Sequence, residues 1–208
     1  YHMEPMGDRL IGFGYEDNRS LQASLFDVSD LSKPTMLKRV YFGEGFGQFA
    51  EDQDRMHKAV QILPEQNLLL IPFASYGRWD GTNCSQGKSG IQIIDMTHDD
   101  LKARGVAPQY GMPKRAFMHK DRLFGVSDRN VSGFRLDDRD APTKSTELDL
   151  SNPAYKIVSA GANVVSITND WWTGEAMLSI TPKAKRTSPT ACSMPWMAMK
   201  PNSGTMPR

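Results

Sequence analysis

The chain has 208 residues, 39% of them apolar and 24% charged, and its 25 Lys and Arg nearly cancel its 24 Asp and Glu. That balance offers no strong field for a phosphate backbone or an anionic membrane, so nucleic acid is not expected as a partner. No stretch reaches the roughly 20 apolar residues that a spanning helix needs, so no membrane span is expected.

Taken in order, the apolar runs repeat. A remnant "YHMEPMGD" leads into "GDRLIGFGYED" (residues 7–17), then "LQASLFDVSD", a polar corner with Asp27, Asp30 and Pro34, and "TMLKRVYF". The next copy reads "HKAVQILPEQ", "QNLLLIPFASY", "SGIQIIDMTHD" and "LKARGVA". A third reads "KRAFMHKD", "KDRLFGVSDRN", "VSGFRLDDRD" and "TKSTELDLS", and a fourth "YKIVSAGA", "GANVVSITNDW" and "GEAMLSITPK". Each run is rich in β-branched or aromatic residues and bounded by turn formers, which marks a strand. Overlaying Phe26–Asp30 on Phe134–Asp138 also places Pro34 on Pro142, so the corners agree in spacing as well as composition.

About 40 to 60 residues per copy, in three strands and a weaker fourth, is the size of one propeller blade. The expected fold is therefore all-β, a β-propeller of four-stranded antiparallel blades over residues 1–182. Four blades are visible and the first looks incomplete, so the chain is expected to supply part of a larger ring, closed by another segment, a second copy or another chain. Inner strands, covered on both faces, should be continuously apolar, as "NLLLIPF" and "NVVSI" are; outer strands, which see more solvent, are free to alternate, as "MLKRVYF" does. "AEDQDRMHKAV" carries the one weak helical signal and is read as a loop leading into a strand. Residues 183–208, rich in Pro, Ser, Thr and Met, are read as an extended tail packing Trp196 and its Met neighbours onto a groove or a partner. Met194, Met197, Met199 and Cys192 are also a soft-ligand set for Cu(I), the less favoured reading. The opening at Tyr1 reads as a processed product or fragment.

The run from Tyr15 to Tyr76, with "SLFDVSDLSKP", the His57-Lys58-Ala59 stretch, "NLLLIPF" and "GIQIID" downstream, resembles a family of secreted bacterial and archaeal proteins. These carry a C-terminal β-propeller domain distantly related to WD-40 repeats. The likeness covers roughly residues 7 to 150 and departs at Arg135, which stands where the first copy has Asp27. It implies an extracellular, periplasmic or cell-surface location and supplies no catalytic residues.

The longest insertion, "SYGRWDGTNCSQGKSG" (residues 75–90), carries Tyr76, Arg78, Trp79, Asp80 and Asn83. Long loops on rigid scaffolds favour recognition, and exposed Tyr, Trp and Arg are good anchors. The competing reading is a surface connection whose Trp packs on its own sheet. "NDWWTGEA" is a second aromatic turn, and because adjacent strand residues face opposite ways, one of Trp171 and Trp172 should point outward. Asp52, Asp54 and His57 could bind a divalent cation or act as an acid-base pair. The favoured alternative is a histidine at a strand mouth, bonded to a neighbouring blade through one of those carboxylates. "DDRDAP" has three Asp at calcium-like spacing but is read as a solvated corner. Cys84 and Cys192 form either one long-loop disulfide or two unrelated thiols.

No nucleophile elbow, P-loop, H-E-x-x-H or dinucleotide turn is present. The function expected is non-catalytic binding, with no cofactor beyond that candidate cation. Loops and tail would be offered to a protein or glycan partner, or to further copies of the chain. A metal-assisted hydrolase and a subunit of a filament or surface layer are the alternatives.

Overall fold

The computed structural model describes residues 2–16, 20–43, 46–76, 87–150, 154–170, 175–183 and 194–195. The chain divides into two compact units, Tyr1–Ser151 and Asn152–Arg208.

In the first unit, β1 (His2–Met6), β2 (Arg9–Tyr15), β3 (Leu21–Asp27) and β4 (Thr35–Phe42) form an antiparallel sheet in sequence order. The second sheet has β5 (Phe46–Phe49) and β6 (Gln61–Leu63) end to end along one edge of β7 (Leu68–Tyr76), followed by β8 (Ser89–Met96) and β9 (Leu101–Pro108). The third runs β10 (Pro113–His119), β11 (Arg122–Ser127), β12 (Asn130–Arg135), β13 (Thr143–Asp149). Strands 20–42 and 90–107 therefore lie in separate sheets. Turn chemistry repeats as the sequence does: Met6 pairs with Arg9 and His119 with Arg122 across two-residue turns. The first turn residues, Gly7 and Lys120, have φ of 69° and 55°, as tight hairpins require.

β7 shows why three small sheets make one unit. Its residues from Leu68 to Ser75 are all buried, although a strand covered on one face would alternate. Leu69, Ile71 and Phe73 join Ile11, Phe13, Leu21 and Leu25 of the first sheet in one apolar cluster. Leu68 and Leu70 turn the other way, into a cluster with Ile91, Ala116, Leu123 and Phe134. At roughly 1.5–3 kcal/mol for each large side chain fully buried, sheet-to-sheet packing is the main stabilising term. The continuously apolar strand is the second of its sheet, an inner strand covered on both faces as its sequence suggests.

Residues 53–59 are not a plain loop. A 3₁₀ turn, Gln53–Arg55, runs into α1 (Met56–Ala59), which buries Met56 and Ala59. Residues three apart share a helix face, so one turn suffices to cover both. The whole segment interrupts the first strand of the second sheet, leaving β5 and β6 as its two halves.

The second unit is one sheet, β14 (Ala154–Ala160), β15 (Asn163–Asp170), β16 (Glu175–Pro182) and β17 (Met194–Pro195). Its fourth strand comes from the stretch read as the tail, through the pairs Met177↔Pro195 and Leu178↔Met194. Here "NVVSI" is not an enclosed strand: Val164 and Val165 are half-buried and Ile167 is 44% exposed.

Candidate functional site

Alternating strand directions sort the connections of the first unit to two ends. The β2–β3, β7–β8 and β11–β12 hairpins share one end with the β4–β5 and β9–β10 crossings; the remaining turns share the other. Tyr15, Tyr41, Tyr76 and Tyr110 stand at the first end, from 38% to 48% exposed. Tyr15 also meets the Phe49 ring edge-on at 5.2 Å.

A cleft of about 710 Å³ opens at this end, between Tyr41, Phe42 and Gly43 of the first sheet and Lys88, Gln92 and Arg104 of the second. Phe42 packs edge-on against Phe73 at 5.5 Å on its wall. Gly43, with φ of 68°, lets the chain leave β4 past the Phe73 ring, which an added Cβ would approach to 3.2 Å. Gln92 is buried, and its Nε2 donates to the carbonyls of Ile93, Arg104 and Gly105, satisfying backbone groups freed by a bulge between β8 and β9. The stems of the long loop are pinned beside the cleft: Ser75 N–H donates to the Lys88 carbonyl at 2.6 Å, and Lys88 N–H to Ser75 Oγ at 3.1 Å.

The opposite end is charged. Arg9, its side chain 9% exposed, crosses from the first sheet to the β8–β9 turn. Nη2 donates to Asp99 Oδ1 at 2.6 Å, and Nη1 lies 3.1 Å from Asp8 and 3.0 Å from Asp27. The bond from Arg9 holds the Asp99 carboxyl below its usual range, while bonds from Ser29, helped by Arg9, do so for Asp27. His98 lies between Asp8 and Asp99, and hydrogen bonding to both raises its pKa. The second and third sheets repeat the device: Asp95 accepts from Arg104 and from Arg139, and Arg104 also donates to Asp140 at 2.8 Å.

Of the residues singled out from the sequence, Tyr76 lies exposed at the cleft end. Arg78, Trp79, Asp80, Asn83, Trp171 and Trp172 lie outside the described residues, as do Cys84 and Cys192. Asp52, Asp54 and His57 stand exposed on the insertion between β5 and β6, and the structure does not gather them as a cation site. Among the described residues no group of three or more His, Cys, Asp or Glu could hold a metal ion. His57 instead stacks on His2, ring centroids 6.4 Å apart, while neighbouring Glu51 accepts from Arg115 of β10 at 2.8 Å. The "DDRDAP" corner is tied down by protein donors: Asp138 accepts from the Asp140 N–H and Asp140 from Arg104. Sequence reasoning missed Tyr41, Gln92 and the Arg9–His98–Asp99 node. Asp27 and Asp95 at equivalent strand ends were the available signal for the node.

Small antiparallel sheets stacked face to face, each burying its neighbour and all offering hairpins at common ends, define a β-propeller built of blades. No helix of the described residues is long and apolar enough to cross a membrane. Over residues 2–139 the chain matches the family model described as the beta propeller domain, and it belongs to that family. The match takes in the first two blades and the third as far as its last corner. No curated protein matches the chain.

Proposed function

We propose that this protein is a non-catalytic, exported binding module that holds a protein or glycan partner on the tyrosine-bearing end of its first two blades. The carrying observation is the cleft beside Ser75 and Lys88, where exposed Tyr41 stands beside hydroxyl, amide and cationic groups on a buried scaffold. A rigid aromatic with polar neighbours gives contact area at low entropic cost, the usual make-up of a binding hot spot. Propellers generally mediate interactions through such loop-bearing ends, while the fold alone dictates no particular activity. Export rests on the likeness of residues 7 to 150 to secreted proteins.

The test is binding of the purified chain to panels of glycans and of extracellular proteins, repeated with Tyr41→Ala and Tyr76→Ala. A saturable ligand whose affinity falls about tenfold or more in the variants, at unchanged melting temperature, supports the proposal. Binding unaffected by both substitutions would place the function elsewhere on the molecule.

A further inference from the structure

The seam between the first two blades contains an imidazole set between two carboxylates. His98 Nε2 lies 3.1 Å from Asp8 Oδ1, on the β1–β2 turn of the first blade. Its Nδ1 lies 2.8 Å from Asp99 Oδ1, in its own turn, and 3.2 Å from Arg9 Nη2 of β2. Asp27, at the end of β3, completes the set through Arg9, and a Lys38–Asp100 pair at 3.4 Å stands alongside. Beside the imidazole a second cleft, about 570 Å³, opens across the same seam, with Pro5 and Met6 on one blade and Asn67 and Met96 on the other.

An imidazolium has two N–H donors and an imidazole has one. Protonated, His98 donates to both carboxylates at once and adds a cation among three acids and one arginine. Neutral, it must set a nitrogen lone pair against a carboxylate oxygen: against Asp8 if the proton stays on Nδ1, against Asp99 if it stays on Nε2. Arg9 relieves the second case, because its Nη2 can donate to a bare Nδ1 while Nε2–H keeps Asp8; what the neutral ring then gives up is the bond to Asp99 and the charge that strengthens its bond to Asp8 across the seam. Histidine ordinarily titrates between about pH 5 and 8, and hydrogen bonding to Asp8 and Asp99 moves His98 upward from its usual value.

We propose that His98, Asp8, Asp99 and Arg9 form a proton-operated latch across the first seam, closed when His98 is charged and loosened when it is neutral, which sets the width of the cleft beside it. The apolar cluster beneath, with Ile11, Leu25 and Leu69, is untouched by the proton, so the seam loosens without the blades parting. Because the folded pKa of His98 is raised, its contribution is complete below its ordinary 6.5 and is lost as pH rises through the folded midpoint.

The test uses the full chain. Ring NMR signals should show His98 titrating with a midpoint above 6.5, moving down toward that value in Asp8→Asn. Amide exchange of residues 2–15 and 95–104, corrected for its intrinsic pH dependence, should accelerate as pH rises above 6.5 through the measured His98 midpoint in the wild type and not in His98→Gln. Comparison with His98→Gln removes the contributions of His2 and His57, which stack across the same seam. A His98 midpoint unmoved by Asp8→Asn, or equal acceleration in wild type and His98→Gln, overturns the proposal. If His98→Gln fails to fold, Asp8→Asn must by itself show the reduced acceleration, and its failure to do so is equally decisive.

Discussion

Replacing Gly105 by Ala tests how closely the second and third blades approach. Gly105 sits in β9 and donates its N–H to the Arg139 carbonyl of the next blade at 2.9 Å. A Cβ on Gly105 would stand 2.2 Å from the Asp140 carbonyl oxygen, and these are backbone atoms that no rotamer can move aside. Relief requires the Arg139–Asp140 corner to retreat by about 1 Å, which takes the Gly105–Arg139 bond beyond normal hydrogen-bonding distance. The overpacking term is about 1–3 kcal/mol and the lost bond adds about 1 kcal/mol, so the expected cost is roughly 2–4 kcal/mol. For a chain of this size that is a fall in melting temperature of roughly 4–16 °C, read by calorimetry or near-ultraviolet circular dichroism. Gly14→Ala is the control, since its Cβ would meet nothing closer than the flexible Gln22 side chain at 3.4 Å, and it should stay within about 1 kcal/mol of wild type. A Gly105→Ala protein melting with the wild type would refute the close approach of the two blades.

Other consequences follow from the charged end. Arg9→Gln should lower the melting temperature clearly more than Arg135→Gln, because Arg9 is 9% exposed and ties four groups of two blades, whereas the Arg135–Asp137 pair is open to solvent. Equal effects of the two would remove Arg9 from the seam. On the acid side, the depressed carboxyls of Asp27 and Asp99 contribute stability that is complete above their ordinary 3.8 and is lost as pH falls through their folded midpoints. Melting temperature should therefore fall below about pH 4, less steeply in Asp99→Asn; an identical acid slope in that variant would exclude Asp99 as a contributor.

What the sequence disclosed, and what it withheld, follows from the range of the interactions involved. Strands and turns of the repeats are short-range, so runs such as "NLLLIPF" and paired corners such as Asp27 to Pro34 announced them directly. The Pro34–Pro142 match carried the equivalence of copies that share few identical residues. By contrast, Arg9 and Asp99 are 90 residues apart, and the equivalent Asp27 and Asp95 mark the strand ends where such a node forms without naming its partners. Tyr41 was unremarkable as one outward residue of an alternating strand, and only the bend at Gly43 and the approach of β8 and β9 make it a cleft wall. The helical turn at Met56 was too short for periodicity to register, since two buried positions three apart fit a loop equally well. In the fourth repeat the apolar pattern suggested an enclosed strand, but alternation and burial depend on what covers a sheet, and that is not written in the strand itself.

The account stands on β7 being enclosed between two other sheets, one on each face. Methyl and aromatic NOE measurements on the labelled chain test this most directly. Leu69 and Phe73 should show contacts to Ile11, Leu21 and Leu25, while Leu68 and Leu70 show contacts to Leu123 and Phe134, with no exchange of partners between the two sets. Contacts from both sets to one sheet, or backbone amide contacts joining β4 to β9 as paired neighbours, would contradict it.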